Sequence, residues 1–275
     1  MLLSKLIRSN SLKNLFFLSI RNYSVQSTTV DDGEIEHFKH YSSTWWDEMG
    51  MMKTLHSLNK LRVPLIREGL LESDPKHNLK NCFNPLKGFK ILDVGCGGGL
   101  LSEPLSRLGA EVTGIDASKD LIQVATQHSH KDNKLKDLNY FCTSIEEFAN
   151  DDKNKCVFDG VVASEIIEHV CDHQRFISEC VQCLKPGGSI FVTTMNKTLL
   201  AKCLGIFVVE DLVGLVPKGT HDYEKFIEPH VIQRLLEENN CRTKLIHGML
   251  YNYFTNSWSW IQGTSICYAL HAVKL

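Results

Sequence analysis

The chain has 275 residues, 43% of them hydrophobic and 23% charged, the make-up of an ordinary globular protein of one or two domains. With 30 Lys and Arg against 32 Asp and Glu, a formal charge of −2 and a pI near 6.6, it lacks the basic excess that phosphate backbones attract, which argues against nucleic acid as a partner. Its 10 cysteines lack the short regular spacings of a secreted disulfide framework, so reduced thiols buried in apolar stretches, as at Cys142, Cys156 and Cys267, are expected.

Residues 1–30 differ from the rest. Lys5, Arg8, Lys13 and Arg21 are positive, serines recur, and no acid precedes Asp31. The apolar run Leu15–Leu18 is short and has basic residues on both sides, so a mitochondrial transit peptide is expected rather than a secretory signal, with a plain basic tail as the alternative. No stretch reaches the roughly 18 to 20 uninterrupted apolar residues of a membrane-spanning helix. Residues 34–72 read as a mostly helical cap. From Phe89 the pattern becomes strand, glycine turn, helix, strand: Phe89–Val94, Gly95–Gly99, a helix to Leu108, then Glu111–Ile115, a βαβ unit. The alternation continues with a helix over Asp120–His128, strands near Asn139–Cys142 and Phe158–Ala163, a helix over Gln174–Leu184 and a strand Ser189–Thr193. An apolar insertion over residues 198–217 is followed by a helix near Pro229–Glu238 and strands near Thr243–Gly248 and Ser265–Lys274. The fold class expected is α/β, a doubly wound, mostly parallel sheet covered on both faces, forming one domain over residues 34–275. Cys180-x-x-Cys183 has the spacing of a redox or zinc pair but no second pair to complete a site, and reads as helix packing.

The run Leu92-Asp-Val-Gly-Cys-Gly-Gly-Gly99 puts small residues where the first strand ends, at the carboxyl edge at which open α/β sheets bind ligands. A nicotinamide-enzyme fingerprint would ask for Gly or Ala at position 100, where Leu stands, which weakens an oxidoreductase reading. Asp116 closes the second strand, where a carboxylate can accept hydrogen bonds from both ribose hydroxyls of an adenosine; a turn or helix-capping aspartate is the alternative.

Asp93-Val-Gly-Cys-Gly-Gly-Gly99, Gly114-Ile-Asp116 and Leu184-Lys-Pro-Gly-Gly188 together resemble the motif series of class I S-adenosylmethionine methyltransferases. That resemblance implies that Gly95 admits the methionine part of the cofactor and Asp116 binds its ribose, with residues 184–188 a structural turn. Three further segments resemble one branch, the ubiquinone-biosynthesis O-methyltransferases. They are Trp45-Trp46-Asp47 with Leu55-His56-Ser-Leu-Asn59 and Leu61-Arg62, then Ser164-Glu165-Ile-Ile-Glu168-His169-Val170, then Thr194-Met-Asn196 through His221-Asp222-Tyr223. The branch implies methyl transfer from S-adenosylmethionine to a prenylated phenolic substrate, a hydroxyl of polyprenyl-dihydroxybenzoate and of demethylubiquinol. It also implies a place on the matrix side of the mitochondrial inner membrane, among other ubiquinone-biosynthesis proteins in a complex. Arg62 then corresponds to an arginine that reaches the cofactor from the cap, and a guanidinium suits the methionine carboxylate because it forms bidentate charge-assisted bonds. By residue type alone Arg62 reads as a surface arginine on a helix. Ser164 falls where the branch contacts the cofactor. Trp45 and Trp46 could wall the isoprenoid or ring pocket, but adjacent tryptophans near a cap read rather as packing and are left out of the site residues.

Glu165, Glu168 and His169 follow the strand Phe158–Ala163 and so emerge at the edge that carries the glycine loop. Steps of three and four set them on one helical face, where they could hold Mg²⁺, Mn²⁺ or Zn²⁺ with positions open for a substrate. Equally, acids suit a helix N-terminus and a histidine can simply pack. The resemblance implies the metal, with Mg²⁺ expected. A phenol has a pKa near ~10, and a bound Lewis acid would release the nucleophilic phenolate; His169 as general base is the other route. In the insertion, Lys202, Glu210 and Asp211 exclude a spanning helix, and peripheral membrane contact or a lid is expected against an ordinary core helix. Two rival functions share these motifs: methylation of another small catechol, and a non-catalytic, cofactor-binding assembly subunit.

Overall fold

The computed structural model describes residues 28–31, 33, 35, 41–73, 83–201 and 225–275. The expected transit peptide through residue 27 and most of the apolar insertion, residues 202–217, lie outside them, as do His221, Asp222 and Tyr223. The expected cap contains a 3-10 turn at Ser42–Thr44 and one long helix, α1 (Lys53–Ser73). Leu58, Arg62, Ile66, Gly69 and Leu70 recur at steps of three and four along α1 and form its buried stripe. There follow β1 (Lys90–Val94), α2 (Ser102–Arg107), β2 (Glu111–Asp116), α3 (Lys119–Ser129), β3 (Leu138–Cys142) and α4 (Ile145–Asn150). The chain continues through β4 (Phe158–Ser164), α5 (His173–Cys183), β5 (Leu184–Met195), α6 (Pro229–Glu238), β6 (Cys241–Asn252), β7 (Ser257–Ile261) and β8 (Cys267–Lys274).

The strands form one sheet in the order β3-β2-β1-β4-β5-β8-β6-β7. β1 to β5 pair in parallel and β8, β6 and β7 join antiparallel, so the architecture is the expected doubly wound α/β, mostly parallel sheet. β4, β5 and β8 are buried almost throughout, as strands covered on both faces must be. The largest core cluster packs α4, α5 and α6 on the sheet around Phe176, Ile177, Ile232 and Leu236; a second packs α1 and α2 around Ile66, Leu70, Leu105 and Phe191. The chain winds from β1 out to β3 and then crosses back to β4, so the order reverses between β1 and β4. A crevice at the carboxyl ends of those two strands is where such sheets take ligands.

The sequence pattern missed α4 and β7, and it began β5 and β6 too late. β7 reads Ser-Trp-Ser-Trp-Ile, a period-2 alternation that was available as a signal. Each of the eight described cysteines is a free thiol. Burial of those in apolar stretches holds for Cys267 but not for Cys142 and Cys156, which are exposed, because β3 has its far edge unpaired and Cys156 sits in a turn. Cys180 and Cys183 are buried in α5 as packing residues, and burial pushes both thiols up, away from reactivity. No helix of the described residues is long and apolar enough to cross a membrane.

Candidate active site

β1 delivers the chain into the glycine loop at the switch point. Gly95 and Cys96 both donate their N–H to Ile115 O, at 2.9 and 3.0 Å, which folds the loop back across the end of β2. Gly95 (φ 72) and Gly97 (φ 53) lie in the left-handed region that side chains disfavour. Gly95 also has no room for a Cβ, which would stand 2.5 Å from Ile166 Cγ1. Asp116 ties the loop to the next helix: its Oδ2 accepts from Gly97 N at 2.9 Å and its Oδ1 from Ser118 N at 2.8 Å. Ser118, not Asp116, is the residue that caps α3, through Leu121 N. Burial raises the Asp116 carboxyl and the two N–H bonds oppose the rise.

Arg62 comes to this edge from α1 as a buried side chain, 4% exposed. The surface-arginine alternative is thereby set aside. Its Nη1 donates to Ser164 Oγ at 2.9 Å, its Nε to Asn59 Oδ1 at 2.7 Å and its Nη2 to Leu55 O at 3.3 Å. Ser164 ends β4 and shares a 2.6 Å hydrogen bond with Thr193 Oγ1. Burial pulls the Arg62 guanidinium below its usual range, while Glu165 and Asp93 draw it back up. Asp93, on β1, receives a hydrogen bond from Ser102 Oγ at 2.6 Å, and burial pushes its carboxyl up to about 6.

The segment after β4 departs from the helical face expected for Glu165, Glu168 and His169. Glu165 takes φ 53, and only a single 3-10 turn, Ile167–His169, follows it. The reason is local: Glu165 N still donates to Thr193 O at 2.8 Å, so the strand ladder ends at the residue where a helix would have to begin. A non-glycine residue held in the left-handed region costs on the order of 1 kcal/mol or more and persists only where the surroundings impose it. Glu168 is 3% exposed and its Oε2 accepts from Thr194 Oγ1 at 2.8 Å. Among the described residues, no three acidic, histidine or cysteine side chains converge into a metal-holding group, and the Glu168 carboxylate is engaged by Thr194 of β5.

Arg62, Gly95, Asp116, Ser164, Glu165, Glu168 and His169 nevertheless all line one cavity of about 390 Å³. Residues that sequence reasoning passed over line it too. Trp45, set aside as packing, is buried and forms part of the wall, its ring 2.6 Å from where a Cβ on Gly97 would stand. Asp93, Met52, Leu55, Leu121, Met195 and Cys267 contribute, as do Leu250, Tyr251, Tyr253 and Trp258 of the β6–β7 hairpin. The signal for Trp45 was its place in the same segment as Arg62; the hairpin offered none beyond the alternation of β7.

Residues 92–192, from the glycine loop to β5, match the family described as a methyltransferase domain. The ubiquinone biosynthesis O-methyltransferase of Mus musculus, mitochondrial by name, is 49% identical over 92% of this chain and 68% of its own length. Its Homo sapiens counterpart is 47% identical over 96% and 71%, and the ubiquinone biosynthesis O-methyltransferase of Pelagibacter ubique 41% identical over 90% and 99%. The chain belongs to the ubiquinone biosynthesis O-methyltransferases. It is thus an enzyme, an S-adenosylmethionine-dependent O-methyltransferase, placed with its eukaryotic relatives in the mitochondrion. A crystal structure of magnesium protoporphyrin IX methyltransferase from Synechocystis aligns over 90% of this methyltransferase and 98% of that chain with a TM-score of 0.56; at 16% identity that likeness speaks for the fold alone.

Proposed function

We propose that this methyltransferase moves the methyl group of S-adenosylmethionine to a ring hydroxyl of prenylated catechol-type precursors, a polyprenyl-dihydroxybenzoate and a demethylubiquinol. The observation that carries the reading is the single cavity in which buried Arg62 and Asp93, Asp116 and the 165–169 acids meet the apolar walls of Trp45, Met52, Leu55 and Trp258. Three of the five Arg62 donors are engaged by protein, and the others hold the methionine carboxylate. Asp116 takes the ribose hydroxyls on the lone pairs that Gly97 and Ser118 leave. With the donor fixed by these residues, holding the acceptor hydroxyl in line with the sulfonium methyl supplies much of the acceleration, because proximity and alignment alone remove several kcal/mol of barrier.

Glu165, Glu168 and His169 would be the residues to hold a divalent ion, Mg²⁺ by the oxygen-rich set: all three line the cavity and are of the right chemical types, and Glu168 would have to release Thr194 to join the other two. Such an ion, when bound, lowers the pKa of a phenol from about 10 and so supplies phenolate at neutral pH. Without it, His169 is the group on that wall able to take the phenolic proton. The enzyme works at the matrix side of the inner membrane, held peripherally through residues 198–217 and alongside other ubiquinone-biosynthesis proteins. The test is methyl transfer from S-adenosylmethionine to a short-chain demethylubiquinol, with and without chelator. Turnover that chelator abolishes is expected. Methylation of soluble catechols with none of the prenylated acceptor would overturn the substrate, and cofactor binding without any turnover would overturn the catalytic role.

A further inference from the structure

Behind the cavity wall runs a chain of contacts that touches the cavity only at its end. Glu103, in the first turn of α2, has a side chain with no exposed surface. Its Oε2 accepts from Arg107 Nη2 at 2.8 Å, and its Oε1 lies 2.7 Å from His128 Nδ1 in the last turn of α3. A buried carboxylate needs such partners, so the position of the imidazole is dictated from the interior. The ring of His128 stacks on Trp46 with centroids 3.5 Å apart and planes 8° from parallel. Trp46 Nε1 in turn donates to Gly98 O at 2.9 Å. The neighbouring Trp45 presses its ring on Gly97 and Gly98 from the cavity side, with its carbonyl 3.0 Å from His56 Nε2. Apart from these ties, Asn59 Nδ2 to Leu100 O at 2.8 Å joins α1 to the end of the loop.

We propose that Glu103, His128 and Trp46 are positioning residues for the methyl donor. Glu103 sets the imidazole, the imidazole sets the indole, and the indole holds the Gly98 carbonyl and, through the adjoining Trp45, the wall over the glycine loop. None of the three lines the cavity, so each acts through that loop. The inference rests on the donor lying against the loop, as in the reading above.

The test measures the Kd of S-adenosylhomocysteine by calorimetry, with KM for S-adenosylmethionine, kcat and Tm. Trp46→Phe keeps a ring under His128 and deletes the donor to Gly98. It should raise Kd and KM about fivefold, the worth of one hydrogen bond, with kcat at saturation within about twofold of wild type. His128→Ala should do at least as much, and His128→Phe, which restores a ring to the stack, should fall between. A lowered Tm with Kd and KM unmoved would show a merely structural role and overturn the proposal, as would a His128→Phe no better than His128→Ala. Should His128→Ala not fold, Trp46→Phe and His128→Phe decide. Asp116→Ala separates the two levels of inference. Weakened binding in Asp116→Ala with unmoved Trp46 and His128 variants sinks the positioning proposal alone, whereas unmoved binding in Asp116→Ala sinks the donor-site reading beneath it.

Discussion

Replacing Asp93 by Asn removes a titrating group from the centre of the sheet. Asp93 is 2% exposed, and burial, with the charge of Asp116 adding to it, lifts its carboxyl from 3.8 to about 6 against the pull of the Ser102 hydroxyl and of Arg62. A folded value above the unfolded one means that the folded chain binds this proton more tightly. Between about pH 4 and pH 6 the folded state therefore holds more of the proton than the unfolded state, and stability falls as pH rises through that window, then levels. At about 1.4 kcal/mol for each tenfold in proton affinity, the gap amounts to about 3 kcal/mol. Asn keeps an acceptor for Ser102 and carries no charge. The unfolding free energy of Asp93→Asn relative to wild type should thus rise by about 2 kcal/mol between pH 4 and pH 7, the rest of the gap falling below pH 4, read from urea denaturation at each pH. A difference that stays constant across the range would refute the account of Asp93 as a buried, reluctantly ionised acid.

A Cβ at Gly98 would run into the Cδ1 of Trp45, so Gly98→Ala should displace that ring. A loss of about 1 to 3 kcal/mol of stability and weaker S-adenosylhomocysteine binding are expected, and calorimetry plus melting that match wild type would show that Trp45 does not depend on the loop. In the insertion, replacing Ile206 and Phe207 by Ser should reduce flotation with anionic liposomes, to which Lys197, Lys202 and Lys218 add attraction, while sparing cofactor binding; equal flotation would favour a core helix there.

What the sequence disclosed was whatever depends on neighbours along the chain. The glycine loop and Asp116 were legible because a strand end, a tight turn and the next strand end are local, and the structure joins them directly through Gly97 N and Ser118 N. Arg62 was legible only through resemblance, since nothing in a helical arginine says that its guanidinium will be buried against Ser164, 102 residues away. Trp45 does pack as expected, and its further place in the cavity wall went unassigned for the same reason: it exists only once the cap is folded onto Gly97 and Gly98. The spacing of Glu165, Glu168 and His169 pointed to one shared surface, and they do share the cavity, but not by the helical geometry that made the spacing look meaningful. Glu165 in the left-handed region and a 3-10 turn bring them there instead, and that backbone is set by the ladder to β5, which the local pattern does not contain.

Glu168 is the residue that separates the two accounts of that wall. In the structure it accepts a hydrogen bond from the Thr194 hydroxyl at 2.8 Å and is almost wholly buried. If that bond is its whole purpose, Glu168→Ala leaves a buried hydroxyl unsatisfied and costs about 1 to 3 kcal/mol of stability, with turnover largely kept and no response to chelator. Glu168→Gln, whose amide oxygen can still accept from Thr194, should then behave as wild type. If Glu168 instead ligates an ion that activates the acceptor, Gln is nearly as poor as Ala: both should lose turnover while S-adenosylhomocysteine binds with unchanged affinity, because the ion meets the acceptor and not the adenosine. The Gln variant thus carries the decision, since it holds the hydrogen bond constant and changes only the charge and ligand strength. A Gln variant at full rate, or a chelated wild type at full rate, removes the metal from the mechanism and leaves His169 as the base.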